Sequence, residues 1–171
     1  MVEQQEGRAA HARRFLTSAG LLVDGDLAEL NDRLVSWVPS SLESLRGIGW
    51  SMLFGDIPAI SMKVDDAEAE YGRSVILSLV HDVGFYLVDN ALEKASRLEW
   101  FLCDESAGVP FNDSRINHPA IGPSILVFRE VLGFFVVSLA EPRDQHQALG
   151  LAAHRRHFLP RLMESIVAAH S

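Results

Sequence analysis

The histidines, carboxylates and single cysteine are the side chains whose types could do chemistry, and their spacing decides what they can reach. His146, His154 and His157 follow one another at intervals of eight and three residues. On one helix the first interval rises roughly 12 Å, too far for one zinc ion held by nitrogens at about 2 Å. His154 and His157 can share an ion only with help from elsewhere, such as His81 or Asp82. No His-Glu-x-x-His or Cys-x-x-Cys signature is present. A surface or capping role for these histidines is the stronger reading, and no metal site is assigned.

The remaining chemical pairings are weaker still. His81 and Asp82 are neighbours, and helix neighbours point about 100° apart. Ser78 stands three residues before His81, yet the strained strand-to-helix turn that exposes a nucleophile is absent. Cys103, the only cysteine, sits in Trp-Phe-Leu-Cys beside Asp104 and Glu105, whose charges oppose thiolate formation. Asp82 and Asp89 are two helical turns apart, near 10 Å of rise, without a substrate between them. Gly47-Ile-Gly-Trp lacks the third glycine of a dinucleotide loop. No cofactor is implied.

The paired carboxylates are better used as solvent-facing or partner-facing groups. Tyr71, Ser78, Asp82, Phe85, Asp89 and Glu93 recur as a semi-polar stripe on one long helix. Trp100 and the turn-rich run holding Asn112 and Asn117 add aromatic and amide groups, with Tyr86 nearby. Aromatic anchors with polar rims are usual at protein contacts. The competing reading places Trp100, Phe111 and Ile116 in the core and leaves Asn112 and Asn117 to tight turns. The basic group Arg155, Arg156 and Arg161, with His154 and His157, offers a place for an anion, although pairing with the acidic middle of the chain is preferred.

The elements that position these residues follow from periodicity. The 171 residues are 48% apolar and 22% charged, with mean hydropathy +0.11. This suits one globular domain, 1–171, that buries a sizeable core. The spacing predicts a first helix over 4–19, with Ala9, Ala10, Ala12, Phe15, Leu16 and Ala19 on its apolar face and Gly20 as its stop. Asp26 predicts a helix N-cap, with Glu29 completing a reciprocal capping box and Leu27, Leu30, Leu34 and Trp37/Val38 facing inward. Pro39 reads as a punctuator before a short helix from Leu42, and 48–60 as a buried connector.

The central prediction is a long helix near 66–95 whose face Ile76, Leu79, Val80, Val83, Leu87 and Ala91 is widened by Val75, Val88 and Leu92. Gly72 and Gly84 mark a break or a close helix contact. Trp100–Cys103 with Phe111–Ile116 reads as a small β-hairpin packed on the helices. Ser124–Ala140 is rich in strand formers, but its spacing of three and four favours a buried helix capped at Ser124. A terminal helix near 144–169 follows, with Leu149, Ala152, Ala153 and Phe158 inward and Pro160 kinking or dividing it. The expected fold class is mainly α, or α+β: a helical domain organised around a long central helix with a small β-hairpin.

Charge bounds the partners. The formal net charge is −8, and eleven acids lie between Asp56 and Glu105 against Lys63, Arg73, Lys94 and Arg97. Such a field argues against nucleic acid as a partner. The first residues lack the order of a signal peptide, and Ile125–Ala140 is short for a membrane span. The expectation is therefore a non-enzymatic cytoplasmic protein-binding or adaptor protein with a protein partner or self-association, acting without nucleic acid or membrane. A small metal-dependent or small-ligand enzyme and a purely structural homo-oligomer subunit are the alternatives. No motif places the chain in a named family.

Overall fold

The computed structural model describes residues 2–22, 26–43, 67–95, 98, 100–102, 119–121 and 127–168. Helix α1 spans Val2–Ser18 and α2 spans Leu27–Ser41. The long α3 spans Ala67–Lys94, and α4, α5 and α6 span Val127–Leu139, Gln145–Arg155 and Phe158–Ala168. Helix α3 packs against α1, α4 and α6, while α2 packs on α4 and α6. Helix α5 lies outside this group, on α4.

Small residues let α1 approach α3 closely: Ala9, Ala12 and Leu16 are buried, and Phe15, expected inward, is 40% exposed. Gly20 ends the turn with a left-handed φ of 68°. The amides of Leu21 and Leu22 donate to the Leu16 carbonyl at 2.9 and 3.0 Å, a closure that glycine permits.

Asp26 caps α2 as expected, its Oδ1 accepting from the Ala28 amide at 2.8 Å and the Glu29 amide at 3.4 Å. The reciprocal half of the box is not made by Glu29, which pairs with Arg33 one turn on. Leu30, Leu34 and Val38 are buried. Pro39 does not stop the helix: it lies inside α2, which continues to Ser41. Of the short helix expected from Leu42, Leu42 is the C-cap of α2 and 44 onward lies outside the described residues, as does the connector 48–60.

Helix α3 runs unbroken for 28 residues, roughly 42 Å. Every residue of its predicted inner face is buried, as is Val88. Gly84 leaves room for the Phe128 ring of α4: a Cβ there would stand 2.5 Å from Cδ1 of Phe128. Ser74–Lys94 is long and apolar enough to cross a membrane by length and composition, and half of its most apolar window is buried within the protein.

The expected helical domain with a small β-hairpin is corrected: among the described residues the domain is built of six helices, with no tight hairpin packed on them. The extended pairing among the described residues is β1, Trp100–Leu102, antiparallel to β2, Pro119–Ile121. Residues 103–118 separate the two, so this is not a tight hairpin, and three residues per strand make no layer of their own. Phe111–Ile116, expected as the second strand, lies outside the described residues. Over Ser124–Ala140 the helical alternative holds, with α4 burying Val127, Phe128, Val131, Leu132, Phe134, Phe135 and Leu139. Helical spacing overrides strand propensity here because both sides of α4 meet other helices. The cap expected at Ser124 lies outside the described residues.

The terminal helix is two helices, divided at Arg156–His157 rather than at Pro160. Pro160 falls in the first turn of α6, where a missing amide hydrogen costs nothing. His157 supplies the reversal with a φ of 52°. Asn31, completely buried on α2, pins the corner. Its Nδ2 donates to the Arg155 carbonyl at 3.1 Å, and its Oδ1 accepts from the Leu159 amide at 3.1 Å.

Candidate functional site

The α3 stripe emerges from the helix as its spacing predicts. Tyr71 is 70% exposed, Ser78 and Glu93 are exposed, and Asp82, Phe85 and Asp89 are half-buried. The inner face of α3 fixes this outcome, because residues 71, 78, 82, 85 and 89 lie on the side turned away from Leu79, Val83 and Leu87.

Two parts of the stripe have different surroundings. Toward its C-terminal end, Arg13 of α1 reaches Asp89 at 3.4 Å and stands over the Tyr86 ring at 5.7 Å from its centroid. Tyr86 itself is only 2% exposed, so it belongs to the core and not to the aromatic surface expected of it. Burial pushes the Tyr86 hydroxyl above its ordinary value, with Arg13 and the Asn90 side chain pulling the other way. One and two turns earlier lie Phe85 and Asp82. The Phe85 ring meets Phe128 edge-on at 5.2 Å, and His81 packs on the same Phe128 at 5.4 Å.

Asp82 is the residue of this group whose chemistry is altered. Burial pushes its carboxyl above the usual carboxylate range, and the charges of His11 and His81 offset part of that rise. Its carboxylate makes no hydrogen bond or ion pair among the described residues. The stripe thus brings together Tyr71, Asp82, Phe85 and Asp89 along one side of α3. Trp100 belongs to β1 through its backbone. Asn112 and Asn117 lie outside the described residues, as do Cys103 and His118.

The histidines do not converge. His146, at the start of α5, and His154 and His157, at its end, are all exposed, and the His154 ring lies 5.2 Å from that of Phe158. Among the described residues no group of three or more His, Cys, Asp or Glu side chains is placed to hold a metal.

The basic group is a correction. Among the described residues Arg155 and Arg161 make no pair with the acidic middle of the chain; both bind helix-end carbonyls. Arg155 Nε and Nη2 donate to the Val137 carbonyl at 3.0 and 2.6 Å, and Nη2 also to that of Ala140 at 2.9 Å. Arg161 Nη2 donates to the carbonyls of Ala153, His154 and Arg156 at 3.3, 3.0 and 2.9 Å. Carbonyls without an intrahelical partner draw donors because four are left at every helix C-terminus. Sequence spacing could not reveal this use, since the partners are backbone atoms brought near by the turn.

The surface of the described residues includes two recesses. A groove of about 730 Å³ runs beside α2, lined by Gly20, Asp26, Glu29, Asp32, Arg33 and Trp37 among others. A smaller one of about 410 Å³ lies at the α5–α6 corner. Comparison of the chain with protein-family models, curated proteins and solved structures finds no match.

Proposed function

We propose that the chain is a non-enzymatic protein-binding or adaptor protein of the cytoplasm that engages a basic protein partner, or a second copy of itself, through the acidic and aromatic stripe of α3. The observation that carries this reading is Asp82, a half-buried carboxylate raised by burial and without a hydrogen-bond or ion-pair partner among the described residues. A lysine or arginine brought to it would favour the charged carboxylate, an opposite charge within about 4–6 Å. Tyr71, 70% exposed, and Phe85 provide aromatic area on either side of it along the helix, the composition that interface cores favour. The net charge of −8 adds long-range attraction for such a partner.

The test is the mass of the chain in complexes recovered from its own cells under native conditions, wild type against Asp82→Lys and Tyr71→Ser. The reading expects a complex, or a dimer of the chain alone, that both substitutions dissociate. A chain that is monomeric throughout, or a complex indifferent to both changes, overturns it.

A further inference from the structure

From Gln145 to Met163 the chain has no acidic residue and carries three arginines and three histidines, within a protein of net charge −8. Arg155 and Arg161 are held by carbonyls, as described above. Arg156 is different: it is exposed, and its guanidinium has no partner among the described residues. The 410 Å³ recess is lined by Arg156, His157 and Arg161 together with Leu149, Ala152 and Ala153, which share one side of α5.

The apolar side was expected to face the core and does not. Helix α5 buries no residue, and Leu149 is 64% exposed, so core packing does not explain why this side is apolar. The rim is also held in an unusual backbone. His157 has a φ of 52°, a left-handed conformation that is unfavourable for a residue with a Cβ, and such outliers gather at binding sites. Helix α6 starts at the next residue, so the positive end of its dipole adds to the field at this corner.

We propose that the recess between α5 and α6 binds a small organic anion carrying a short alkyl chain, its charged head on Arg156 in the field of Arg161 and its chain on Leu149, Ala152 and Ala153. The volume suits such a ligand, as small-molecule sites span about 300–1,000 Å³. Guanidinium groups recognise carboxylate and phosphate heads alike through paired N–H donors. This inference stands independently of the α3 contact surface.

The experiment is a titration of the full chain followed by amide chemical shifts, with four probes: octanoate, octyl phosphate, octanol and acetate. Octanoate or octyl phosphate should saturate, with shifts centred on Ala152, Ala153 and His157, and the tighter of the two identifies the head. Octanol and acetate should each bind at least about tenfold more weakly, since each lacks half of the recognition. Arg156→Gln should weaken the favoured anion about tenfold, the loss expected for a charge-assisted hydrogen bond. Leu149→Asn should weaken it severalfold. Both side chains are exposed, so the helical circular dichroism should not change. Octanol binding as well as the anions, an unaltered affinity in Arg156→Gln, or no saturation by either anion would overturn the proposal.

Discussion

Asn31 is the polar side chain on which the packing of the C-terminal helices turns. It is fully buried, and it holds the Arg155 carbonyl, the Leu159 amide and, at 3.3 Å, the Asp32 carboxylate. Replacement by leucine, close in size, leaves the Leu159 amide and the Arg155 carbonyl without that partner. A buried polar group left unpaired costs about 1–3 kcal/mol. The Leu159 bond is fully buried and the Arg155 bond partly so, which places Asn31→Leu at roughly 2–5 kcal/mol. That is a large share of the 5–15 kcal/mol typical of a domain. Urea unfolding followed by circular dichroism at 222 nm reads the loss directly, as a midpoint lowered by about 1–3 M for a slope near 1.5–2 kcal/mol per M. Ser36→Ala, which removes an exposed bond to the Asp32 carbonyl, serves as the control and should stay within about 0.5 kcal/mol of wild type. The reasoning is refuted if Asn31→Leu is no worse than Ser36→Ala.

Three further outcomes follow from the same geometry. Gly84→Ala drives a methyl into the Phe128 ring and should destabilise by about 1–3 kcal/mol; combining it with Phe128→Leu, measured in the same urea assay, should recover part of that loss. Asp82 has a folded pKa raised above its unfolded value, so its contribution is most favourable below the unfolded pKa and is lost as pH rises through the folded one. Asp82→Asn should therefore be more stable than wild type at neutral pH, with the advantage disappearing in acid; a gap that widens on acidification would contradict the assigned cause. His157→Gly removes the penalty of a left-handed backbone and should raise stability by up to about 1 kcal/mol, reduced by the extra entropy of an unfolded glycine.

What could be read from the residues, and what could not, divides by the range of the interaction. The inner face of α3, the Asp26 cap and the Gly20 stop are local: periodicity and one or two side-chain contacts define them, and each is found where expected. The α3 stripe is the complement of that face, so Tyr71, Asp82, Phe85 and Asp89 could be placed together from spacing alone. Errors arise where a distant helix decides. Leu149, Ala152 and Ala153 have inward spacing, but α5 lies at the edge with nothing beyond it among the described residues. Tyr86 looks like a surface aromatic until α1 brings Arg13 over its ring. Pro39 and Pro160 mislead in the same manner, since a proline's effect depends on its place in a turn: Pro160 sits harmlessly in the first turn of α6, whereas the reversal is made by His157, which carries no helix-breaking signal. The strand propensity of Trp100–Leu102 does yield an extended segment, but its partner, Pro119–Ile121, is set by pairing across residues 103–118, which no local pattern encodes.

A photo-reactive residue at Ser78, exposed between Tyr71 and Asp82 on the same side of α3, tests the proposed contact surface while leaving its charged and aromatic groups in place. Irradiated in the native cell, this position should give a discrete higher-mass adduct that disappears when Asp82→Lys is added, while the same residue at exposed Ser165 of α6 gives none. No adduct at Ser78, an adduct that survives Asp82→Lys, or equal adducts at both positions would contradict the account.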